Sequence, residues 1–340
     1  MTSHRTMLAR LNAGLHAVMA SDPKVWFLGE DVLDPYGGAF KVARHLSAAF
    51  PDRVLSTPIS EAAIVAIATG LALRGFRPVA EIMFGDFLLL AADQIANHAA
   101  KYRWMYNDQV RVPMVVRAPM GGRRGYGPTH SQSLEKHFLG IPGVSVVAPH
   151  VLDDPGVLLK TAILDVDDPV LVIENKADYG SRLIEAIDGS DILQLDHGPF
   201  PTTWVRPQGG LDGVILCYGG MVPLALEAIA ALDRREELRL ALAVPTQLSP
   251  TPVAALEEIV VAIAEAGASK VLTVEESCVA GGWGAEIIAS VEEIRDKRGL
   301  RSFTYRRLGA AATPIPSSRS QEDCVLPQVH DIISAVLDCF

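Results

Sequence analysis

Residues 60–83 read SEAAIVAIATGLALRGFRPVAEIM. Ser60 to Leu73 has the pattern of an apolar helix rich in Ala and Ile, and Pro78 to Met83 has the pattern of a buried strand. Further strands are predicted on both sides of this segment, with helical patterns between them: Val25 to Leu28, Pro113 to Arg117, Val144 to Val147 and Val170 to Ile173. This alternation is typical of a parallel sheet covered by helices on both faces.

A second alternating series begins at Gly213 and ends with a helix over Pro327 to Leu337. The stretch between the two series is rich in Gly, Pro, Asp and Ser, which favours a linker. We therefore predict the α/β class with two domains of mostly parallel sheets covered by helices. The expected boundaries are 1–180 for the first domain, 181–210 for the linker and 211–340 for the second domain.

Composition excludes several classes of protein. Apolar residues make up 49% and charged residues 21% of the 340, unlike a disordered or fibrous chain. The formal net charge of −10 argues against general binding to nucleic acid or anionic membranes. The longest apolar run, Ala62 to Leu73, is well short of the ~20 residues of a membrane span. The four cysteines are dispersed, so we expect a reducing, cytoplasmic setting.

Common catalytic fingerprints are missing. The stretch beginning at Gly125 starts like a dinucleotide loop, but His130 stands where the third glycine should be. No Gly-rich loop ends in Gly-Lys-Ser/Thr, which excludes a P-loop nucleotidase, and no His-Glu-x-x-His or Gly-x-Ser-x-Gly occurs. Metal-dependent or serine hydrolysis is therefore not supported.

Glu61 is the first candidate site residue. Ser60 is a plausible N-cap, which places Glu61 in the first turn of an apolar helix. The carboxylate could simply complement the helix dipole. Alternatively, burial could hold it protonated, so that it exchanges a proton with a ligand nitrogen.

His130 is the second candidate, in a loop rich in Gly and Pro that follows a predicted strand. Ligands bind at the carboxyl ends of strands in open α/β sheets. Thr129 and Gln132 fit a capping box, which would place His130 at the first helical position. His130 could equally be a solvated neighbour of the cap. Arg123 and Arg124 could be a solvated pair, or could meet phosphate or an acidic partner.

Together these stretches resemble one family over almost the whole chain: the β subunit of the decarboxylating component of thiamine-diphosphate-dependent 2-oxoacid dehydrogenase complexes, related to transketolase. Nine segments carry the resemblance in order and spacing: 28–32, 37–42, 57–61, 77–81, 93–95, 130–135, 142–144, 169–170 and 281–287. The resemblance implies a pyrimidine-binding domain followed by a transketolase-type C-terminal domain.

The resemblance also implies roles for particular residues. Glu61 matches the activating glutamate that hydrogen-bonds the aminopyrimidine of thiamine diphosphate, Ile59 lies beside it in the cofactor-binding motif, and Phe87 matches the aromatic residue that packs on the pyrimidine. His130 matches the histidine that faces the substrate and the incoming lipoyl group. The family holds a structural potassium ion largely with backbone carbonyls. The matching positions are Met114, Ala162, Ile163, Asp165 and Asp167.

One motif of thiamine enzymes is absent from the chain. Gly-Asp-Gly with its downstream Asn, which holds the diphosphate and Mg²⁺, does not occur, and Gly85-Asp86-Phe87 lacks the second glycine. We therefore expect a separate α-type subunit to supply this grip in an α2β2 assembly, with the cofactor at the α/β interface.

The resemblance implies oxidative decarboxylation of a 2-oxo acid, with the acyl group passing to a lipoyl acyltransferase. Because the loop before His130 is unusually basic, an acyl-carrier protein or a sugar stays open as the acceptor. A split transketolase-like enzyme that transfers a two-carbon ketol unit is one alternative. A non-catalytic scaffold is another.

Overall fold

The computed structural model describes residues 6–339, so residues 1–5 and 340 of the two expected domains lie outside the described residues. The described chain divides into two compact units. The first contains residues 6–121, 132–149 and 153–183, and the second contains 122–131, 150–152 and 184–339. Two short segments of the N-terminal half thus belong to the second unit.

The elements alternate along the chain as the hydrophobic pattern predicts. The strands are β1 (Val25–Gly29), β2 (Val54–Ser56), β3 (Arg77–Glu81), β4 (Val115–Met120), β5 (Ser145–Val147), β6 (Val170–Asn175), β7 (Ser190–Leu195), β8 (Thr202–Pro207), β9 (Gly213–Cys217), β10 (Leu240–Pro245), β11 (Gln247–Ser249), β12 (Lys270–Cys278) and β13 (Thr304–Ala310). The α-helices are α1 (Met7–Ser21), α2 (Leu46–Ala49), α3 (Glu61–Leu73), α4 (Ala100–Met105), α5 (Pro155–Leu164), α6 (Val222–Glu236), α7 (Val253–Glu265), α8 (Trp283–Arg298), α9 (Arg319–Val325) and α10 (Val329–Leu337). The 3₁₀ helices are Gly85–Ala91, Glu135–His137, Lys176–Gly180 and Gly219–Met221, and Gln94–Ala99 is a π-helix.

The first unit is built on a parallel sheet with the order β2-β1-β3-β4-β6-β5. Its central strands are buried, as expected when helices cover both faces. α1 packs against α5 and buries one apolar stripe: Met7, Leu11, Leu15, Val18 and Met19. The chain leaves β1 toward β2 on one side and returns to β3 on the other, so β1 and β3 flank a topological switch point.

The second unit has its own sheet, ordered β13-β12-β9-β10-β8-β7. β13, β12, β9 and β10 are parallel to their neighbours, whereas β8 pairs antiparallel with β10 and β7. The α/β class and the mostly parallel sheets predicted from the sequence are therefore confirmed. No helix within residues 6–339 combines the length and the apolar character needed to cross a bilayer.

The predicted linker over 181–210 is corrected by β7 and β8. These strands pair with each other, with Ile192 opposite Val205. β7 is the edge strand of the sheet, and its residues are half-buried or exposed. An edge strand carries polar side chains that oppose aggregation, so its composition resembles that of a loop.

The apolar spacing of Ala39 to Phe50 also predicts a helix, and the structure corrects this prediction, because only Leu46–Ala49 is helical, as α2. Gly37, Gly38, Lys41 and His45 all have left-handed backbone angles, with φ between 66° and 79°. Such residues interrupt a right-handed helix. The apolar spacing was present, but the backbone before α2 turns instead.

Candidate active site

The carboxyl ends of β1, β2 and β3 bring acidic residues to the switch point of the first sheet. Glu30 directly follows β1, Glu81 is the last residue of β3, and Glu61 begins α3 after β2. All three are at most 5% exposed. Because ligands bind at the switch point of open α/β sheets, this edge is the candidate cofactor site.

Glu61 is the first residue of α3, where the sequence predicts it. Ser60 is the N-cap residue in an extended conformation, but its side chain makes no capping hydrogen bond. The backbone N–H of Ser60 instead donates to the Glu30 carboxylate. A carboxyl at a helix start is stabilised by the dipole, yet here it is buried and close to a second acid.

Glu30 is the residue that sequence reasoning missed. Burial, followed by the negative charges of Glu61, Asp31 and Glu81, raises the pKa of Glu30 to about 7. Its Oε1 atom is buried without a hydrogen-bond partner within the described chain. The only signal in the sequence was an acidic residue directly after a buried strand.

A group of aromatic side chains lies in the same unit, on and near the helix that packs against α3. The rings of Phe84 and Phe87 are 6.1 Å apart, Phe40 is 5.4 Å from Phe84, and the Lys176 ammonium lies 5.2 Å from the centre of the Phe84 ring. Phe87 is half-buried on the 3₁₀ helix Gly85–Ala91, which packs against α3. Aromatic faces of this kind stack on flat rings.

Ile59 has a different position. Its side chain is 83% exposed on the segment that leads into α3. An apolar side chain this exposed is available to contact a ligand or a partner. The structure thus places Glu30 and Glu61 close together in the first unit, with Phe87 on the helix that packs against α3 and Ile59 at the entry to α3.

A buried ion network supports the same edge of the sheet. Arg117 on β4 forms ion pairs with Glu81 and Glu174, and its Nε donates to Glu174 Oε1 over 2.9 Å. Tyr179 donates to Glu174 Oε2 over 2.6 Å. Burial raises the pKa of Glu81 against the opposing effect of Arg117. Burial alone would lower the pKa of Arg117, but Glu174 and Glu81 raise it above its ordinary value.

His130 belongs to the second unit, and the predicted helix start is corrected there. No helix begins at Thr129. The pattern of Gln132 to Leu139 also predicts a helix, but the structure has only the 3₁₀ helix Glu135–His137 there. The Gln132 backbone N–H and side-chain amide both donate to Asp86 Oδ1 over 3.0 Å, which replaces the expected capping box. The half-buried His130 is oriented by its neighbour, with Thr129 Oγ1 3.0 Å from His130 Nδ1.

The expected potassium ligands lie around the C-terminal end of α5 and the start of β4. The Met114 carbonyl accepts the Val170 N–H over 3.0 Å, and the Asp167 carbonyl accepts the Val112 N–H over 3.2 Å. Arg77 Nη1 donates to the Ile163 carbonyl over 2.9 Å. A carbonyl oxygen has two lone pairs, so one hydrogen bond leaves each of these three oxygens with a second lone pair.

Comparison with known proteins gives the family. Two family models match the chain: Transketolase, pyrimidine binding domain, over residues 4–181, and Transketolase, C-terminal domain, over residues 203–332. Pyruvate dehydrogenase E1 component subunit beta-2, mitochondrial, of Oryza sativa subsp. japonica is 35% identical over 339 residues, covering 97% of this chain and 85% of the relative. The chain belongs to the β-subunit family of 2-oxoacid dehydrogenase decarboxylating components. The expected family is confirmed.

Other members of this β-subunit family differ in their named reactions. Acetoin:2,6-dichlorophenolindophenol oxidoreductase subunit beta of Cupriavidus necator is 33% identical over 334 residues, covering 96% of this chain and 94% of the relative. A solved structure described as a split gene transketolase, inactive beta4 tetramer, has a TM-score of 0.71 at 20% identity and covers 98% of both chains. This last likeness supports the shared fold alone.

The β-subunit family depends on thiamine diphosphate, and the first unit fits one half of that cofactor. A buried carboxyl at a helix start, an unpartnered buried carboxyl oxygen on Glu30 and a half-buried aromatic ring suit a flat heterocycle with ring nitrogens and an amino group. No group of three or more His, Cys, Asp or Glu side chains within residues 6–339 could hold a metal ion. The individual roles of Glu61, Ile59, Phe87 and His130 stay predictions.

Proposed function

We propose that this β subunit, together with an α-type subunit, oxidatively decarboxylates a 2-oxo acid and passes the acyl group to a lipoyl domain. The observation that carries the proposal is the buried pair of Glu30 and Glu61 at the switch point of the first sheet. Two adjacent buried acids are costly unless a bound group uses them. This cost argues against a non-catalytic scaffold.

The residues of the first unit would hold the aminopyrimidine end of the cofactor. When bound, thiamine diphosphate supplies the electron sink that allows the bond between the keto carbon and the carboxyl group to break. Glu61 would share a hydrogen bond with a ring nitrogen, and Phe87 would pack on the ring face. Glu30, with its pKa near neutrality, is suited to hold or release a proton beside Glu61.

The overall reaction balances without a further reactant. The 2-oxo acid loses its carboxyl group as CO₂, and the acyl carbon becomes bonded to one sulfur of the lipoyl disulfide. The electron pair from the broken carbon–carbon bond reduces the disulfide, and a proton taken up from solvent ends on the second sulfur. His130 would hold that proton close to the departing sulfur.

The proposed partners follow from the finding that this chain fits only the aminopyrimidine half of the cofactor. A β subunit belongs with an α partner. We propose that this partner provides the diphosphate and Mg²⁺ grip in an α2β2 assembly, and that the enzyme is active only when assembled. A lipoyl acyltransferase would accept the acyl group. We also propose a reducing, cytoplasmic location, because the four cysteines are dispersed in the sequence and none of them forms a disulfide within the described chain.

We also propose potassium as a structural ion of the first unit. Met114, Ala162, Ile163, Asp165 and Asp167 lie at or near the C-terminal end of α5 and the start of β4, where a helix end carries negative potential. The Arg77 guanidinium already binds the carbonyls of Ile163 and Val166 there. The potassium ion would bind near this guanidinium, through the remaining lone pairs of the backbone carbonyl oxygens.

Reconstitution with an α-type partner tests the function. With thiamine diphosphate and Mg²⁺, the assembled enzyme should release CO₂ from pyruvate or a branched 2-oxo acid and reduce 2,6-dichlorophenolindophenol. The β chain alone should show no tight cofactor binding by calorimetry. Submicromolar binding by this chain would contradict the proposal that the cofactor site is shared between the α-type and β subunits. Ketol transfer between sugar phosphates without CO₂ release would favour the transketolase-like alternative.

His130→Ala tests the transfer step within the same assembly. The variant should retain cofactor binding but lose acylation of a lipoyl domain. Unchanged turnover with the lipoyl acceptor would count against the role of His130.

A further inference from the structure

The segment that carries His130 is fixed by two buried glutamates of the second unit. We call residues 122–131 the His130 loop, and Glu276 and Glu322 the glutamate pair. Glu276 lies near the end of β12 and Glu322 lies on α9, and they are 5% and 0% exposed. The His130 loop and both glutamates belong to the same compact unit.

The glutamate pair accepts hydrogen bonds from the backbone of the His130 loop. The Gly122 N–H donates to Glu276 Oε1 over 2.6 Å. The N–H groups of Arg123 and Gly125 donate to the two oxygens of Glu322 over 2.8 Å and 3.0 Å. Hydrogen bonds to an ionised acceptor are the strongest class in proteins, and buried ones are not weakened by competing water.

The side chain of Arg123 strengthens the same attachment. Its Nη2 donates to the Pro327 carbonyl over 2.6 Å, and its Nε is 4.0 Å from Glu276 Oε2. Arg123 also has a left-handed backbone, with φ of 69°, which a non-glycine residue adopts at a cost. Of the two arginines weighed for an acidic partner, Arg123 is therefore committed to the interior of its own unit.

Two glycines allow the close approach. A Cβ at Gly122 would lie 2.5 Å from Leu326 Cδ1 and 2.9 Å from Glu322 Oε1. A Cβ at Gly127 would lie 2.5 Å from Ser317 Oγ, and this residue has φ of +78°. The loop therefore packs directly against the segment around α9, and a side chain at either position would have to displace a neighbour, with a left-handed backbone as an added cost at Gly127.

We propose that Glu322 is a positioning residue that sets His130 for acyl transfer. Its carboxylate binds the backbone five and seven residues before His130, and the loop ends with the Gly127 carbonyl accepting the His130 N–H over 3.3 Å. Glu322 thus acts through the loop and touches no reacting atom. The proposal rests on the transfer role proposed for His130.

The test compares Glu322→Gln with Asp323→Asn in the assembled α/β enzyme. Asp323 is exposed on the same helix and loses the same charge, so it is the matched control. Glu322→Gln should lower lipoyl acylation about 10- to 100-fold, the range for a misplaced group, and should lower dye reduction by a smaller factor. Asp323→Asn should leave both rates within about twofold of wild type.

A double variant separates positioning from a general structural effect. If Glu322 acts through His130, adding Glu322→Gln to His130→Ala should change lipoyl acylation by less than about twofold, because coupled residues are not additive. Full additivity of the two losses, or no loss in the single Glu322 variant, would overturn the proposal. Gly127→Ala, which displaces the loop from Ser317, should reproduce the loss and serves if Glu322→Gln does not fold.

Hydrogen exchange provides a readout that does not depend on activity. In Glu322→Gln, the Arg123 and Gly125 amides should exchange at least about tenfold faster than in wild type, with no change in Asp323→Asn. Unchanged exchange would overturn the attachment itself. If the wild-type assembly neither decarboxylates nor transfers, the proposed function fails, while the exchange result still decides whether Glu322 holds the loop.

Discussion

Glu30→Gln should stabilise the first unit at alkaline pH. Burial, reinforced by Glu61, raises the pKa of Glu30 from 4.5 to about 7. The unfolded chain releases this proton at the ordinary value, so it binds fewer protons than the folded chain between the two values. The stability that protonated Glu30 allows is therefore fully present below about pH 4.5 and is lost as the pH rises through 7.

The size of this loss follows from the two pKa values. A difference of one unit between the folded and unfolded pKa of a group corresponds to about 1.4 kcal/mol. Integrating proton binding from about pH 5 to about pH 8 gives a loss of about 2.5 kcal/mol in the free energy of unfolding. The amide introduced by Glu30→Gln does not ionise, so the variant should gain this amount relative to wild type over the same range.

Urea unfolding at about pH 5 and about pH 8 measures the effect, and hydrogen exchange of the β1 amides assigns it to the first unit. Asp52→Asn, which removes an exposed carboxylate of the same unit, is the control and should follow wild type at both pH values. An equal difference in unfolding free energy between Glu30→Gln and wild type at both pH values would contradict the raised pKa of Glu30.

Three further predictions concern other groups. Arg117→Met leaves Glu81 and Glu174 buried without their cation and should cost about 3–5 kcal/mol, measured as a lower urea midpoint; an unchanged midpoint would speak against the network. Burial lowers the pKa of His150 from 6.5 to about 3, so stability present above pH 6.5 falls as the pH drops toward 3. About 2 kcal/mol should be lost between about pH 7 and about pH 5, and His150→Gln should abolish this dependence on acid. Replacing sodium by potassium at constant ionic strength should raise the melting temperature, and equal values in both salts would argue against the carbonyl site.

The sequence was sufficient for the fold class because long apolar patterns dominate it. The central strands are buried on both faces, and the helix over Ser60 to Leu73 is apolar even at exposed positions such as Ile67, so composition alone distinguishes these elements. β7 was missed because an exposed edge strand carries the same polar residues as a loop. α2 was predicted too long because the left-handed backbone at Lys41 and His45 leaves no mark on hydrophobic spacing.

The candidate site was predictable where one residue carries a motif and not where two distant residues meet. Glu61 was found from its place at a helix start. Glu30 was missed because its raised pKa depends first on burial and then on the charges of nearby acids such as Glu61 and Glu81, which only the parallel pairing of β1 with β3 and the course of α3 bring near. The capping box at Thr129 was wrong because Gln132 binds Asp86, a partner 46 residues away.

Residues 122–131 belong to the second unit although the residues on both sides belong to the first. A fragment ending near residue 183 would carry the loop but would lack both carboxylates that accept its amide hydrogen bonds: Glu276, which binds Gly122, and Glu322, which binds Arg123 and Gly125. A single division of the chain near residue 183 therefore separates the His130 loop from the carboxylates that hold it. Recombination that exchanges only the N-terminal half between relatives would combine the His130 loop of one protein with the glutamate pair of another. Exchanging the C-terminal segment as well would keep the loop and its hydrogen-bond acceptors together.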